Sequence, residues 1–186
     1  MINHPFAKLI IMLLSLIPAL CMANPYWDDF SVSEQQAYLQ SGEVNETARL
    51  VYEGLFSPSD DDATFDMFDE ICQRRNSDIA NAFNLMLYFK ILEKSDAALA
   101  EGMSEYSAKM LDSNPLFVLE YLRLNPDKTK SFAWSAGDAF CVDNQYDMQE
   151  YEKLKKKIQS LDTTPEMQDF IKLFLDDVEA NFCGLY

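Results

Sequence analysis

Thirty-one carboxylates and a single histidine, His4, define the chemistry open to this chain. His4 sits in an N-terminal stretch that reads as a removable leader, so the chain beyond it has no imidazole. Ser-His-Asp and Cys-His activation of a nucleophile therefore cannot be assembled there. Neither GxGxxG nor GxxxxGK[ST] occurs, which leaves nucleotide phosphates without their usual backbone cradle. The run Asp60-Asp61-Asp62 with Asp66 has the oxygen chemistry of a calcium site. As an EF-hand loop it fails, because Phe65 stands where the turn needs glycine and Ile71 where the bidentate Glu belongs. A loop begun at Asp143 fails in the same way at Met148 and Leu154. The run reads instead as a solvated loop leading into a helix cap. Asp66 with Asp69 or Glu70, and Glu101 with Glu105, share helix faces and supply acid pairs of the type that cleave glycosides. Solvated helices carry such pairs routinely, so the sequence assigns no catalytic residue, no cofactor and no metal ligand.

The cysteines are Cys21, Cys72, Cys141 and Cys183, with no CxxC among them. Removal of the leader takes Cys21 and leaves an odd number, which in an oxidising compartment means one bridge and one thiol. Three pairings are open. The favoured one is Cys72–Cys141, with Cys183 free, because Cys183 lies close to the chain end, where order is usually weakest. Such a bridge closes about 70 residues and contributes roughly 4 kcal/mol on the chain-entropy account.

The leader spans residues 1–23. Lys8 is its positive region, Leu9 to Leu20 its apolar region, and Cys21-Met22-Ala23 its small-residue cleavage site. The apolar run is shorter than the roughly 20 residues that a membrane-spanning helix needs. Cleavage removes one lysine and no acid, so the net charge moves from −16 to −17. That excess opposes nucleic acid and anionic lipid, which are recognised by clustered Lys and Arg. It suits a basic protein partner. The one basic cluster, Lys153, Lys155, Lys156 and Lys157, reads as the outer face of an amphipathic helix.

These residues must be positioned by helices. Ser31-Val32-Ser33-Glu34 matches a capping box, with Gly42 as a stop. Further helices are predicted over about 45–56, then after the loop Ser57 to Asp62 a helix carrying Phe65, Phe68, Ile71 and Cys72, then over 79–92, from Ser95 or Asp96 to Asp112, over 116–124 and from Pro126 to Val142. Asn114-Pro115 and Asn125-Pro126 read as caps followed by first-turn prolines. Residues 79–92 are apolar on almost every face, the mark of a central helix. The last two helices carry Met148, Tyr151, Leu154, Ile158 and Leu161, then Met167, Phe170, Ile171, Phe174, Leu175, Val178 and Phe182. In the first of them Glu152 can pair with Lys156 one turn on. The fold class is all-α. Residues 24–186 form one domain, an irregular bundle of seven or eight short helices behind a flexible tail of residues 24–30. A short stack of αα-hairpins is the alternative.

In that tail Tyr26, Trp27 and Phe30 either pack back on the body or serve as partner contacts, the use aromatic residues find at interfaces. Together these features describe an exported protein, periplasmic in a bacterium, that works by binding another protein as an inhibitor, immunity or adaptor component. A helical scaffold holding a peptide is one alternative. A carboxylate-based envelope hydrolase is the other.

Overall fold

The computed structural model describes residues 26–142 and 145–182; residues 1–23 and Cys183 lie outside them. Most helix starts follow from the residue just before them. Helix α1 (Val32–Leu39) opens on the Ser31 capping box, in which the Ser31 hydroxyl accepts from the Glu34 N–H and the Glu34 carboxylate accepts from the Ser31 N–H. Asn45 caps α2 (Glu46–Tyr52), Asp61 caps α3 (Asp62–Ile71) and Asp96 caps α5 (Ala97–Ser113). Asp147 and Thr164 do the same for α8 (Met148–Gln159) and α9 (Pro165–Ala180). Between them lie α4 (Asp78–Leu92), α6 (Pro115–Leu124) and α7 (Pro126–Asp138).

Three local readings change. Helix α2 stops four residues before Phe56. Gly54 adopts φ +75°, the Leu55 N–H reaches back to the Leu50 carbonyl, and the Gly54 N–H to that of Val51. This is a Schellman ending, which needs a residue tolerant of the left-handed region. It leaves Leu55 71% exposed, outside the apolar stripe. Asn114 and Asn125 precede the first-turn prolines without a side-chain cap bond. Proline has no N–H to satisfy and its φ is preset, so the demand for a cap is smaller there. The Asn125 amide donates instead to the Tyr121 carbonyl and the Tyr26 hydroxyl. Finally, α7 ends at Asp138. The Phe140 carbonyl accepts from the Asp147 N–H, and the chain makes a two-rung antiparallel ladder, β1 (Cys141–Val142) with β2 (Gln145–Tyr146).

Helix α4 is the axis of the core, with Phe83, Leu85, Leu87, Tyr88, Phe89 and Ile91 all buried. Helix α5 lies along α7, and α9 closes against α6, α7 and α8. The result is a multi-helix bundle, nearly all helical, and not a stack of successive hairpins. No helix among the described residues is long and apolar enough to cross a membrane. Small side chains let α5 and α7 approach, and their hydroxyls are used. The Tyr88 hydroxyl donates to the Met103 carbonyl at 3.0 Å and lies 2.6 Å from Ser107 Oγ, which lies 2.6 Å from Ser135 Oγ. A fully partnered chain of this kind specifies one packing of α4, α5 and α7 without leaving a polar atom bare.

The predicted tail is not a tail over its described part. Trp27–Asp29 form a short 3-10 turn, and Trp27 packs edge-on against Tyr38, Tyr52 and Phe83 at 5.1–6.1 Å. Burial of the Trp27 ring is what ties this acidic segment to the body.

The lysines of α8 are partnered more than the sequence reading allows. In place of a Glu152–Lys156 pair, Lys157 Nζ donates to the Asp112 carbonyl at 2.6 Å and to its carboxylate at 2.8 Å, fastening α8 to the end of α5. Lys155 Nζ lies 2.5 Å from Glu179 Oε1, which also accepts from the Tyr151 hydroxyl at 2.8 Å. Lys155, and after it Tyr151, hold the Glu179 carboxyl below its ordinary value of 4.5. A depressed carboxyl stabilises the fold above its unfolded-state pKa and stops doing so as pH falls through the folded-state value. Glu179→Gln is therefore expected to lower stability at pH 7, with the gap from the native protein closing as acid protonates the Glu179 carboxyl in the folded state. Urea unfolding from pH 7 into the acid range measures it; a gap that stays constant refutes the assignment.

Candidate functional site

An open groove of about 490 Å³ runs between α1 and the start of α4. Its apolar parts are Phe30, Ala37, Tyr38 and Ile79; its charged parts are Glu34, Glu43 and Asp78. Among the described residues no Lys or Arg lines it. Each wall is fixed by the local structure already described. Glu34 is tied down by Ser31, whose hydroxyl donates to the Glu34 carboxylate at 2.6 Å and whose N–H does so at 2.8 Å. Those bonds, side chain first and backbone second, hold the Glu34 carboxyl below its ordinary range, so it is ionised at neutral pH. Ser41 Oγ donates to the Tyr38 carbonyl at 2.7 Å and accepts from the Glu43 N–H at 3.3 Å, setting where Glu43 leaves α1. Asp78 stands in the first turn of α4, where the helix end favours an anion.

The back wall is rigid because Tyr38 is buried among Trp27 and Phe83. Burial raises the Tyr38 hydroxyl pKa, and the Arg75 charge acts in the opposite direction. That guanidinium is itself engaged by Glu70, 3.7 Å away. The groove thus presents three carboxylates and two aromatic rings on one side of the molecule. A side chain with an apolar stem and a cationic head, lysine or arginine, matches both features.

Of the three aromatic contact candidates, only Phe30 lies in this groove. Trp27 is 4% exposed and belongs to the core, so its assignment as a partner contact is corrected. Tyr26 is half-buried, its ring 5.7 Å from Tyr121 and its hydroxyl taken by Asn125. Glu43, Asp78 and Ile79 carried no sequence signal, since nothing local brings residue 43 to residue 78.

The cysteine assignment also changes. Cys72 is a free, buried thiol, so the Cys72–Cys141 bridge is not made. Cys72 sits inside the α3–α4–α5 packing, while Cys141 starts the ladder after α7 and is itself disulfide-bonded. Burial pushes the Cys72 thiol far above its ordinary pKa, which removes it as a nucleophile.

Several acids are engaged in local bonds. Asp61 of the acidic run accepts from the Ser59 hydroxyl and the Thr64 N–H, and those bonds lower its pKa. Glu120, the buried carboxylate among the described residues, is held by the Arg123 guanidinium through bonds of 3.0 and 2.7 Å. A glycosidase acid needs its pKa raised; the displaced carboxyls here, Glu34, Asp61, Glu166 and Glu179, all move down. No family model, curated protein or solved structure matches the chain.

Proposed function

We propose that this is an exported acidic protein that acts by binding a basic protein partner, and that the partner's lysine or arginine side chains seat in the groove between α1 and α4. The observation that carries the reading is the lining: Glu34, Glu43 and Asp78 around Phe30, Tyr38 and Ile79, with no cation among them. The net charge of −16 supports it, because a like-signed field over the whole molecule speeds encounter with a basic surface. Export rests on the leader of residues 1–23, and a disulfide at Cys141 suits an oxidising compartment. An inhibitor, immunity or adaptor role fits this chemistry equally.

The test uses the full chain, tagged at its C-terminus and secreted through its own leader in a bacterial host. Periplasmic fractionation reads export, and retention in the cytoplasm overturns that part. Envelope extract is then passed over the protein at low and moderate salt. A stoichiometric basic partner is expected, held more weakly at the higher salt. The paired change Glu43→Lys with Asp78→Lys, which spares the capping box, is expected to abolish its capture. Capture unaffected by that change, or no stoichiometric partner at either salt, overturns the reading.

A further inference from the structure

Cys141 is disulfide-bonded, and the chain offers three other cysteines, Cys21, Cys72 and Cys183. Cys72 is excluded as a buried free thiol. Cys21 lies five residues before Tyr26, whose hydroxyl accepts from Asn125 at the start of α7. Cys141 follows the opposite end of that helix, which has 13 residues. At 1.5 Å per residue α7 is about 20 Å long, while five residues stretched to the full span only about 17 Å. Cys21 is therefore badly placed to reach Cys141.

The residues that precede Cys183 converge on those that precede Cys141. The ring of Phe182 lies 6.4 Å from that of Phe140 and 4.6 Å from that of Tyr151. The backbones meet too: a Cβ on Gly137 would stand 3.2 Å from the Asn181 carbonyl carbon and oxygen. Two segments that touch at 137 and 181, and again at 140 and 182, each carry a cysteine at the next position. A bridge needs Cα atoms within about 4.4–6.8 Å, a spacing that such converging segments supply. This end of α9 also lacks an electrostatic fastening of its own. Its last turn carries Asp177 and Glu179 and no basic residue, where the helix end is itself negative. We propose that Cys141 and Cys183, 42 residues apart in the chain, are the bonded pair, and that their bridge clasps the α8–α9 hairpin to the end of α7. It forms by thiol–disulfide exchange with a disulfide oxidant, such as glutathione disulfide or an oxidoreductase. One thiolate attacks the oxidant and displaces one of its sulfurs; the second cysteine then displaces the other. The two cysteines give up two protons and two electrons, and the oxidant leaves as two thiols.

For the test, the full chain with all four cysteines is refolded in a glutathione redox buffer. Its free thiols are blocked under denaturing conditions, and it is digested with trypsin without reductant. Residues 131–153 are expected linked to residues 173–186, with the Cys72 peptide blocked. A link from Cys141 to the Cys21 or the Cys72 peptide, a disulfide-linked dimer on a non-reducing gel, or four blocked thiols overturns the proposal. Cys141→Ala and Cys183→Ala are each expected to lower Tm by roughly 4–20 °C. The double variant is expected to lose no more than either alone, because both remove one bond. Dithiothreitol is expected to lower the native Tm to the same level and to leave the variants unmoved. A double loss equal to the sum of the single losses, or a native Tm indifferent to reductant, overturns the clasp. Should the variants not fold, the mapping and the reductant shift of the native chain decide.

Discussion

Phe83→Ala is expected to destabilise the protein by about 3–5 kcal/mol, the range for emptying a fully buried aromatic site. Phe83 is buried on α4, with the rings of Trp27, Tyr38 and Tyr52 at 5.1, 5.5 and 5.6 Å. Those three rings belong to the 3-10 turn, α1 and α2, so one side chain pins three separate elements to the axis of the bundle. The cavity cannot collapse without moving all of them. For a chain of this size the loss corresponds to a fall in Tm of roughly 6–20 °C. Trp27 reports the event directly, because loosening of its site shifts its fluorescence to longer wavelength. Binding is expected to weaken as well, since α1 and Tyr38 form one wall of the groove. Phe83→Leu keeps an apolar side chain and is expected to lose less. A loss below about 1 kcal/mol for Phe83→Ala, within the range of ordinary substitutions, refutes this account of how the N-terminal elements are held.

A second large effect is expected where helices touch through backbone. A Cβ placed on Gly137 in α7 meets the Val178 carbonyl oxygen of α9 at 2.6 Å and the Asn181 carbonyl at 3.2 Å. Neither is a side chain that can turn away. Gly137→Ala gains up to about 1 kcal/mol of helix propensity, yet α7 and α9 must separate to admit the methyl group. Overpacking of this kind costs about 1–3 kcal/mol, so a net loss is expected by urea unfolding. Gly42→Ala is the counterpart: a Cβ there meets nothing within 4 Å. It is expected to be neutral or to stabilise by up to about 1 kcal/mol, through the unfolded chain. Equal effects at the two glycines would show that propensity, not the α7–α9 contact, governs position 137.

Helix starts were legible in the sequence because the forces that set them act within four residues. Ser31, Asn45, Asp61, Asp96, Asp147 and Thr164 each bond to a backbone N–H three positions ahead. The all-α class followed from the same range of information, as did the central place of α4, since a helix apolar on every face has to be surrounded. Helix ends were harder. Gly54 marks the end of α2 only through its positive φ, and the turn after Asp138 depends on the Asp147 N–H reaching Phe140.

What the tertiary structure alone decided is every assignment that joins distant parts of the chain. Trp27, in an acidic segment with no helical pattern, is core because Phe83 offers it a face fifty-six residues later. Cys72 and Cys141 both sit near helix ends, as the sequence suggests, but Cys72 is buried as a free thiol while Cys141 is disulfide-bonded without it. The lysines of α8 look like a solvated face until Asp112 and Glu179 arrive from α5 and α9. The groove is the plainest instance. Glu34 was legible only as a capping residue and Glu43 and Asp78 not at all among thirty-one acids, and only the packing of α1 on α4 through Tyr38 and Phe83 brings the three around one opening. Caps and periodicity are local and survive in a linear reading; pairing across the bundle is a property of which apolar faces meet, and no residue carries that information by itself.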